Sequence, residues 1–168
     1  MTVLEKFKTL DSDTKVAYLI ALAKVLLPKL KCVDGFEKAE KAISDCFNWL
    51  IKRNINAFDL HLQLENMDET SILTYCTLEE DPIKQSVWNC IANTLAYTIK
   101  EAYQYENAKY LPQTIECVDE DTIIELLDNF EKATDTPPNF ASDFLDKLDW
   151  SLNELVGVVW QYDRRDSK

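Results

Sequence analysis

Residues 81–107 read DPIKQSVWNCIANTLAYTIKEAYQYEN. Asp81 followed by Pro82 is a helix start. The carboxylate can accept from the free N–H groups of the first turn, and the proline lacks an N–H where none is needed. Trp88, Ile91, Ala92, Leu95, Ile99 and Ala102 then recur at three- and four-residue steps, which aligns them along one side of a helix. The spacing predicts a long helix over about 82–107, the central element of the fold.

The same spacing continues outward on both sides. Towards the N-terminus, Asp11 or Ser12 can cap a helix whose Val16, Leu19, Ile20, Ala23, Leu27 and Leu30 share a face, with Pro28 kinking it or ending it early. Val33-Asp34-Gly35 reads as a turn with Asp34 a candidate cap. The stripe that follows, Phe36, Ala39, Ile43, Cys46, Phe47 and Leu50, stops near Lys52-Arg53, cations suited to a helix C-terminus. Asn56 can cap a short helix holding Leu60, Leu62 and Leu64, and Asp68 another holding Ile72, Leu73 and Tyr75.

Beyond the central helix, Leu111-Pro112-Gln113 breaks the pattern, and Thr114 to Val118 carries only a weak strand alternation. Asp119 caps a helix with Ile123, Ile124, Leu127 and Phe130 inward. TDTPPN, residues 134–139, is a loop. Phe144, Leu148, Leu152, Leu155 and Val159 line a final helical segment over about 139–165, with a break at Asp149. Only two glycines, Gly35 and Gly157, occur in the 168 residues, too few for the turns of a hairpin-rich β protein. The expected fold is all-α: a single domain over 1–168, a bundle of about seven to eight helices around the long central one.

The formal net charge is −12. Nucleic-acid binding needs clustered Lys and Arg to displace counterions from phosphates, so the sign excludes that partner class and disfavours an anionic membrane surface. A basic protein partner would be attracted and steered. Residues 116–168 hold 14 acidic and 5 basic side chains, against 16 and 13 in residues 1–115, which puts most of the field in the last third. MTVLEKFKTLDSD at the start has no apolar stretch of a signal peptide. Val16 to Leu27, the most apolar segment, is interrupted by Lys24 and is shorter than the roughly 20 residues a membrane span needs. A cytoplasmic location is expected.

Little in the chain speaks for catalysis. The five cysteines, Cys32, Cys46, Cys76, Cys90 and Cys117, are odd in number and without close pairs, unlike a disulfide framework or a zinc knuckle. Cys46, Cys76 and Cys90 are expected to pack as small hydrophobes, with Cys117 in a loop. His61 is the one histidine, and with Glu65 one turn later it reads as a helical pair rather than as part of a triad, a zinc site or a di-iron motif. No Gly-rich phosphate loop is present. Catalytic residues, a metal site and a cofactor are therefore not expected.

Two acidic groups are the candidate binding surfaces. On the helix after Asp119, the pattern turns Glu120, Asp121, Glu125, Asp128 and Glu131 outward. The macrodipole already accounts for acids at a helix start such as Asp119, Glu120 and Asp121. The second group is Asp68-Glu69 with Glu79-Glu80-Asp81, at the two ends of a short helix. Among the tyrosines on or after the central helix, Tyr105 lies off the apolar face and is a candidate interface anchor. Trp49, Trp88, Trp150 and Trp160 are expected in or at the edge of the core.

Asn48-Trp49-Leu50 with INAFDLHLQLENMDETSILTY (55–75), and DPIKQSVWNCIANTLAYTIKEAYQYENAKYLPQTIECVDEDTI (81–123), together resemble immunity protein family 6 of bacterial polymorphic toxin and contact-dependent inhibition systems. SDTKVAYLIALAKVLLPKL (12–30) is consistent with how such proteins begin. The resemblance covers about 1–130 and leaves the segment from about Asp135 outside it. It implies a mostly helical, non-catalytic protein that binds and neutralises the C-terminal domain of a toxin encoded by the adjacent gene. It supplies no contact residues. Asp119, Glu120, Asp121, Glu125, Asp128, Asp68, Glu69, Glu79, Glu80 and Tyr105 are the toxin-binding candidates on physical grounds. The charge favours a nuclease as the toxin, because such enzymes are often basic where they hold substrate. Two other readings stand beside this one: an acidic mimic of nucleic acid that occupies DNA-binding proteins, and a small helical enzyme using carboxylates.

Overall fold

In the computed structural model, residues 2–147 are described. They form α1 (Val3–Lys8), α2 (Ser12–Leu26), α3 (Phe36–Lys52), α4 (Ala57–Leu64), α5 (Ile72–Leu78), α6 (Pro82–Tyr105), α7 (Gln113–Glu116), α8 (Glu120–Ala133) and α9 (Phe140–Asp146). No strand occurs among the described residues. α6 is the central helix, packed by α2, α3, α4, α5, α7 and α8. Its start follows the sequence signal: the Asp81 side chain accepts from the Lys84 N–H at 2.9 Å, with Pro82 at the first helical position.

A second helix shares the interior. Every residue of α2 from Val16 to Ala23 is buried, so α2 is not striped but enclosed, and its near-continuous apolar run reflects contact on all sides. Thr94 lets α6 sit close to it: the hydroxyl donates to Cys90 O at 2.8 Å within α6 and lies 3.4 Å from Leu19 O of α2. The buried side chains reach from Phe7 of α1 to Leu145 of α9 in one continuous core. Each fully buried Leu or Ile contributes about 1.5–3 kcal/mol relative to exposure. Tyr18 spans the interior, stacking on Phe144 at 5.9 Å and donating its hydroxyl to Ala141 O at 2.9 Å. Burial raises its phenol above the usual range.

Several local expectations are corrected. α1 was not anticipated, although Thr2 and Glu5 form a capping box readable as T-x-x-E. Asp11, not Ser12, caps α2. As expected at Pro28, α2 ends early, and the chain tightens into a 3-10 turn over Leu27–Leu30. α3 starts after Gly35 in the left-handed region rather than on an Asp34 cap, and α5 is capped by Ser71, not Asp68. Thr114 to Val118 includes the one-turn helix α7 and no strand. On α8, Leu126 and Asn129 are buried while Ile124 is exposed. Trp49 and Trp88 are buried. Trp150, Trp160 and the expected segment beyond Lys147 lie outside the described residues.

Candidate functional site

α8 runs antiparallel to α6. The Cys90 thiol donates to Leu126 O at 3.3 Å, Asn89 Nδ2 meets Asn129 Oδ1 at 3.4 Å, and the Lys100 ammonium donates to Val118 O just before α8 begins. This places the start of α8 in a cleft with three lysines, Lys8, Lys15 and Lys100. The Asp119 carboxylate is occupied as the cap, accepting from the Asp121 N–H at 2.9 Å, and Glu120 pairs with Lys8 Nζ at 2.7 Å. Of the acids in this first turn, Glu120 is thus paired with a lysine while Asp121 is exposed. In the same cleft, burial and then the Glu101 charge push the Tyr97 phenol up to about 12.

Further along α8, Glu125 and Asp128 are exposed. Asp128 and Glu131 edge an apolar cleft of about 570 Å³ between α1, α8 and the 134–142 segment. Glu125 lies towards α5: burial is the main reason the Cys76 thiol is pushed up to about 12, and the Glu125 charge adds to it. That proximity brings the flank of α8 round towards α5.

The other acidic group sits at the two ends of α5. Asp68 and Glu69 are exposed in the α4–α5 loop, with Glu69 at φ 56°. Asn66 holds this loop: its Nδ2 donates to Leu62 O at 3.3 Å and Thr70 Oγ1 at 3.2 Å, and its Oδ1 accepts from the Asp68 N–H at 3.1 Å. At the far end Glu79 terminates α5. Its Oε1 is buried with no hydrogen-bond partner among the described residues. Glu80 is exposed and Asp81 caps α6. Gln85 Nε2 ties the corner together, meeting Cys76 O at 3.4 Å and Glu79 O at 3.5 Å.

Tyr105 lies at the opposite end of α6, 58% exposed. Its inner side is held edge-on by Trp49 at 6.3 Å, with the Arg53 guanidinium 5.0 Å from its ring. His61 pairs with Glu65 at 2.7 Å, and the Thr114 hydroxyl donates to Glu65 Oε1 at 2.8 Å, which links α7 to α4. Burial opposes ionisation of Glu65, but the hydrogen bonds from Thr114 and His61, with the His61 charge, outweigh it and hold the carboxyl below its usual value. The candidate residues therefore fall into three places: α8, the ends of α5, and the tip of α6. No group of three or more His, Cys, Asp or Glu side chains arranged to hold a metal occurs among the described residues, and no described helix is long and apolar enough to cross a membrane.

Sequence reading missed the apolar side of the α4–α5 edge. Phe58, Leu62, Met67, Leu73 and Leu78 are exposed, with Met67 fully so. The sequence names Leu62 and Leu73 as members of their helices without assigning them a face. The signal was present in AFDLHLQL: apolar residues at 58, 60, 62 and 64 cannot share one helical face. Ala57, Leu60 and Leu64 go to the core, and the pair Phe58 and Leu62 is left on the far side.

No curated protein and no solved structure matches the chain. The family model of immunity protein Imm6 matches residues 14–133. That span runs from the first turn of α2 to the last residue of α8, and so includes both interior helices and every acidic surface described above. The chain belongs to the Imm6 family of immunity proteins.

Proposed function

We propose that the protein binds a cognate toxin domain in a tight, non-covalent complex and so neutralises it, without turnover of its own. The observation that carries this is the Imm6 match across α2 to α8. The toxin domain is the C-terminal part of the protein encoded by the adjacent gene, and the encounter takes place in the cytoplasm. A nuclease is the toxin class the charge supports. An enzyme that holds nucleic acid presents cations to phosphates, and a chain of net charge −12 is drawn to such a face. The acidic residues of α8 (Asp119, Glu120, Asp121, Glu125, Asp128), those at the ends of α5 (Asp68, Glu69, Glu79, Glu80) and the Tyr105 ring are the contact candidates.

The test is co-purification with that C-terminal domain, followed by a salt titration of the affinity and a growth assay with the toxin expressed alone or with this protein. A nanomolar 1:1 complex that weakens with salt and restores growth is expected. Absence of binding at low salt, with growth still arrested, would remove this function for that partner.

A further inference from the structure

The thirty residues from Asn54 to Ile83 contain no lysine or arginine and carry seven carboxylates: Asp59, Glu65, Asp68, Glu69, Glu79, Glu80 and Asp81. The lysines and Arg53 earlier in the chain mask this when charge is summed over the first two thirds. In the fold this stretch is α4, the Asn66-clamped loop, α5 and the first two residues of α6, an edge laid along α6 from Glu106, which accepts from the Ala57 N–H, back to Gln85, which meets Cys76 O. Ten large apolar side chains are exposed among the described residues, and Phe58, Leu62, Met67, Leu73, Leu78 and Ile83 are six of them. Phe58 and Leu62 lie one turn apart on the outer side of α4 and are 59% and 43% exposed. On α8 only Ile124 is comparably exposed, and of the first acids there Asp119 serves as the cap and Glu120 pairs with Lys8.

We infer that the α4–α5 edge is the surface that docks the toxin domain, through the toxin's positively charged face, with Phe58, Leu62 and Met67 as apolar anchors inside an acidic frame. The inference rests on the immunity function proposed above and names its contact surface. Tight protein interfaces combine a desolvated apolar centre with a polar rim, and complementary charge speeds their encounter. This edge holds both parts, whereas α8 holds mainly charge. The field also selects the occupant. A second copy of the chain would set the exposed Asp59, Asp68, Glu69, Glu80 and Asp81 against the same groups, and nucleic acid or an anionic bilayer would be repelled, so a cationic protein face is the partner that fits. The loop is prepared for contact: Asn66 bonds on both sides of Met67 fix its backbone, which lowers the ordering cost of binding.

The experiment measures the affinity and association rate of the full chain for the C-terminal domain of the protein encoded by the adjacent gene. Wild type is compared with Phe58→Ala/Met67→Ala, with Glu69→Lys/Glu80→Lys, and with Asp121→Lys/Asp128→Lys on α8. All six side chains are exposed, and matching melting curves confirm folding. The apolar pair is expected to weaken binding by about 100-fold, mainly through dissociation. The Glu69/Glu80 reversal is expected to slow association about tenfold at low salt, and the α8 reversal to stay within about threefold of wild type. Loss of binding in the α8 variant, with the edge variants intact, would overturn this inference and leave the immunity function standing. No binding by wild type would overturn both. A wild-type dimer that Phe58→Ala/Met67→Ala dissociates would assign the edge to self-association and overturn the toxin-docking inference.

Discussion

The Tyr75 ring lies so close over Gly35 that a Cβ at Gly35 would stand 2.5 Å from its Cε1. The same ring stacks on Trp88 at 5.2 Å, so Tyr75 is a wedge from α5 between the start of α3 and the second turn of α6. Gly35 also holds φ 88°, where a side chain is strained. Gly35→Ala therefore combines a backbone cost with overpacking, and is expected to lower stability by about 2–4 kcal/mol in urea unfolding. A loss below about 0.5 kcal/mol would mean that the ring moves aside freely and does not lock α5.

Arg53 closes the other end of the molecule. Its guanidinium lies 3.9 Å from the Trp49 ring centre, pairs with Asp13 at 2.5 Å and donates to Trp49 O and Leu50 O at 3.2 Å each. A lysine keeps the charge but cannot stack flat while one nitrogen holds the two carbonyls and a second holds Asp13. Arg53→Lys is expected to cost about 1–2 kcal/mol. A double-mutant cycle with Asp13→Asn checks the origin: a coupling below about 0.3 kcal/mol would leave stacking and capping, not the ion pair, as the source.

Thiol chemistry should divide the cysteines. Cys32 and Cys117 are exposed, Cys46 and Cys90 are buried, and Cys76 is half-buried. Burial pushes the Cys46 thiol up to about 12, which removes the reactive thiolate at neutral pH. A disulfide-exchange reagent under native conditions is expected to label Cys32 and Cys117 quickly and the other three only on unfolding. Fast labelling of Cys46 would show that α3 opens readily from the core.

Acid stability should depend on Asp11. The Thr14 N–H bonds to its carboxylate at 2.8 Å and holds it below the usual aspartate range, with partial burial opposing. A depressed native pKa gives stability that is present above the unfolded value and lost as pH falls through the folded one. Below about pH 4 this contribution disappears. Asparagine caps equally well but does not titrate, so Asp11→Asn is expected to match wild type near pH 7 within about 0.5 kcal/mol and to lose less stability below pH 4. An unchanged acid limb would place the titration elsewhere, with Glu65 the next candidate.

The helices were readable because their signals are local. Asp81-Pro82, the Asn56 cap and the three- and four-residue spacing of α6 act within one or two turns, and the structure keeps all three. α1 and α7 escaped notice because each is too short to show a stripe. Inward and outward faces were harder. Ile124 and Leu126 are both apolar and two residues apart, and only the position of α6 decides which is buried.

The sequence by itself determined the helical class, the central helix, the Asn56, Asp81 and Asp119 caps and the negative charge, since each depends on residue type and on neighbours a few positions away. Tertiary structure alone decided which acids remain available. Glu120 at the start of α8 meets Lys8, which is distant in sequence and adjacent in space. The acids around α5 share their edge with Phe58, Leu62 and Met67 because α4 buries its other face. Charge in sequence adds up along the chain, whereas the field a partner meets adds up across the surface, and only packing relates the two.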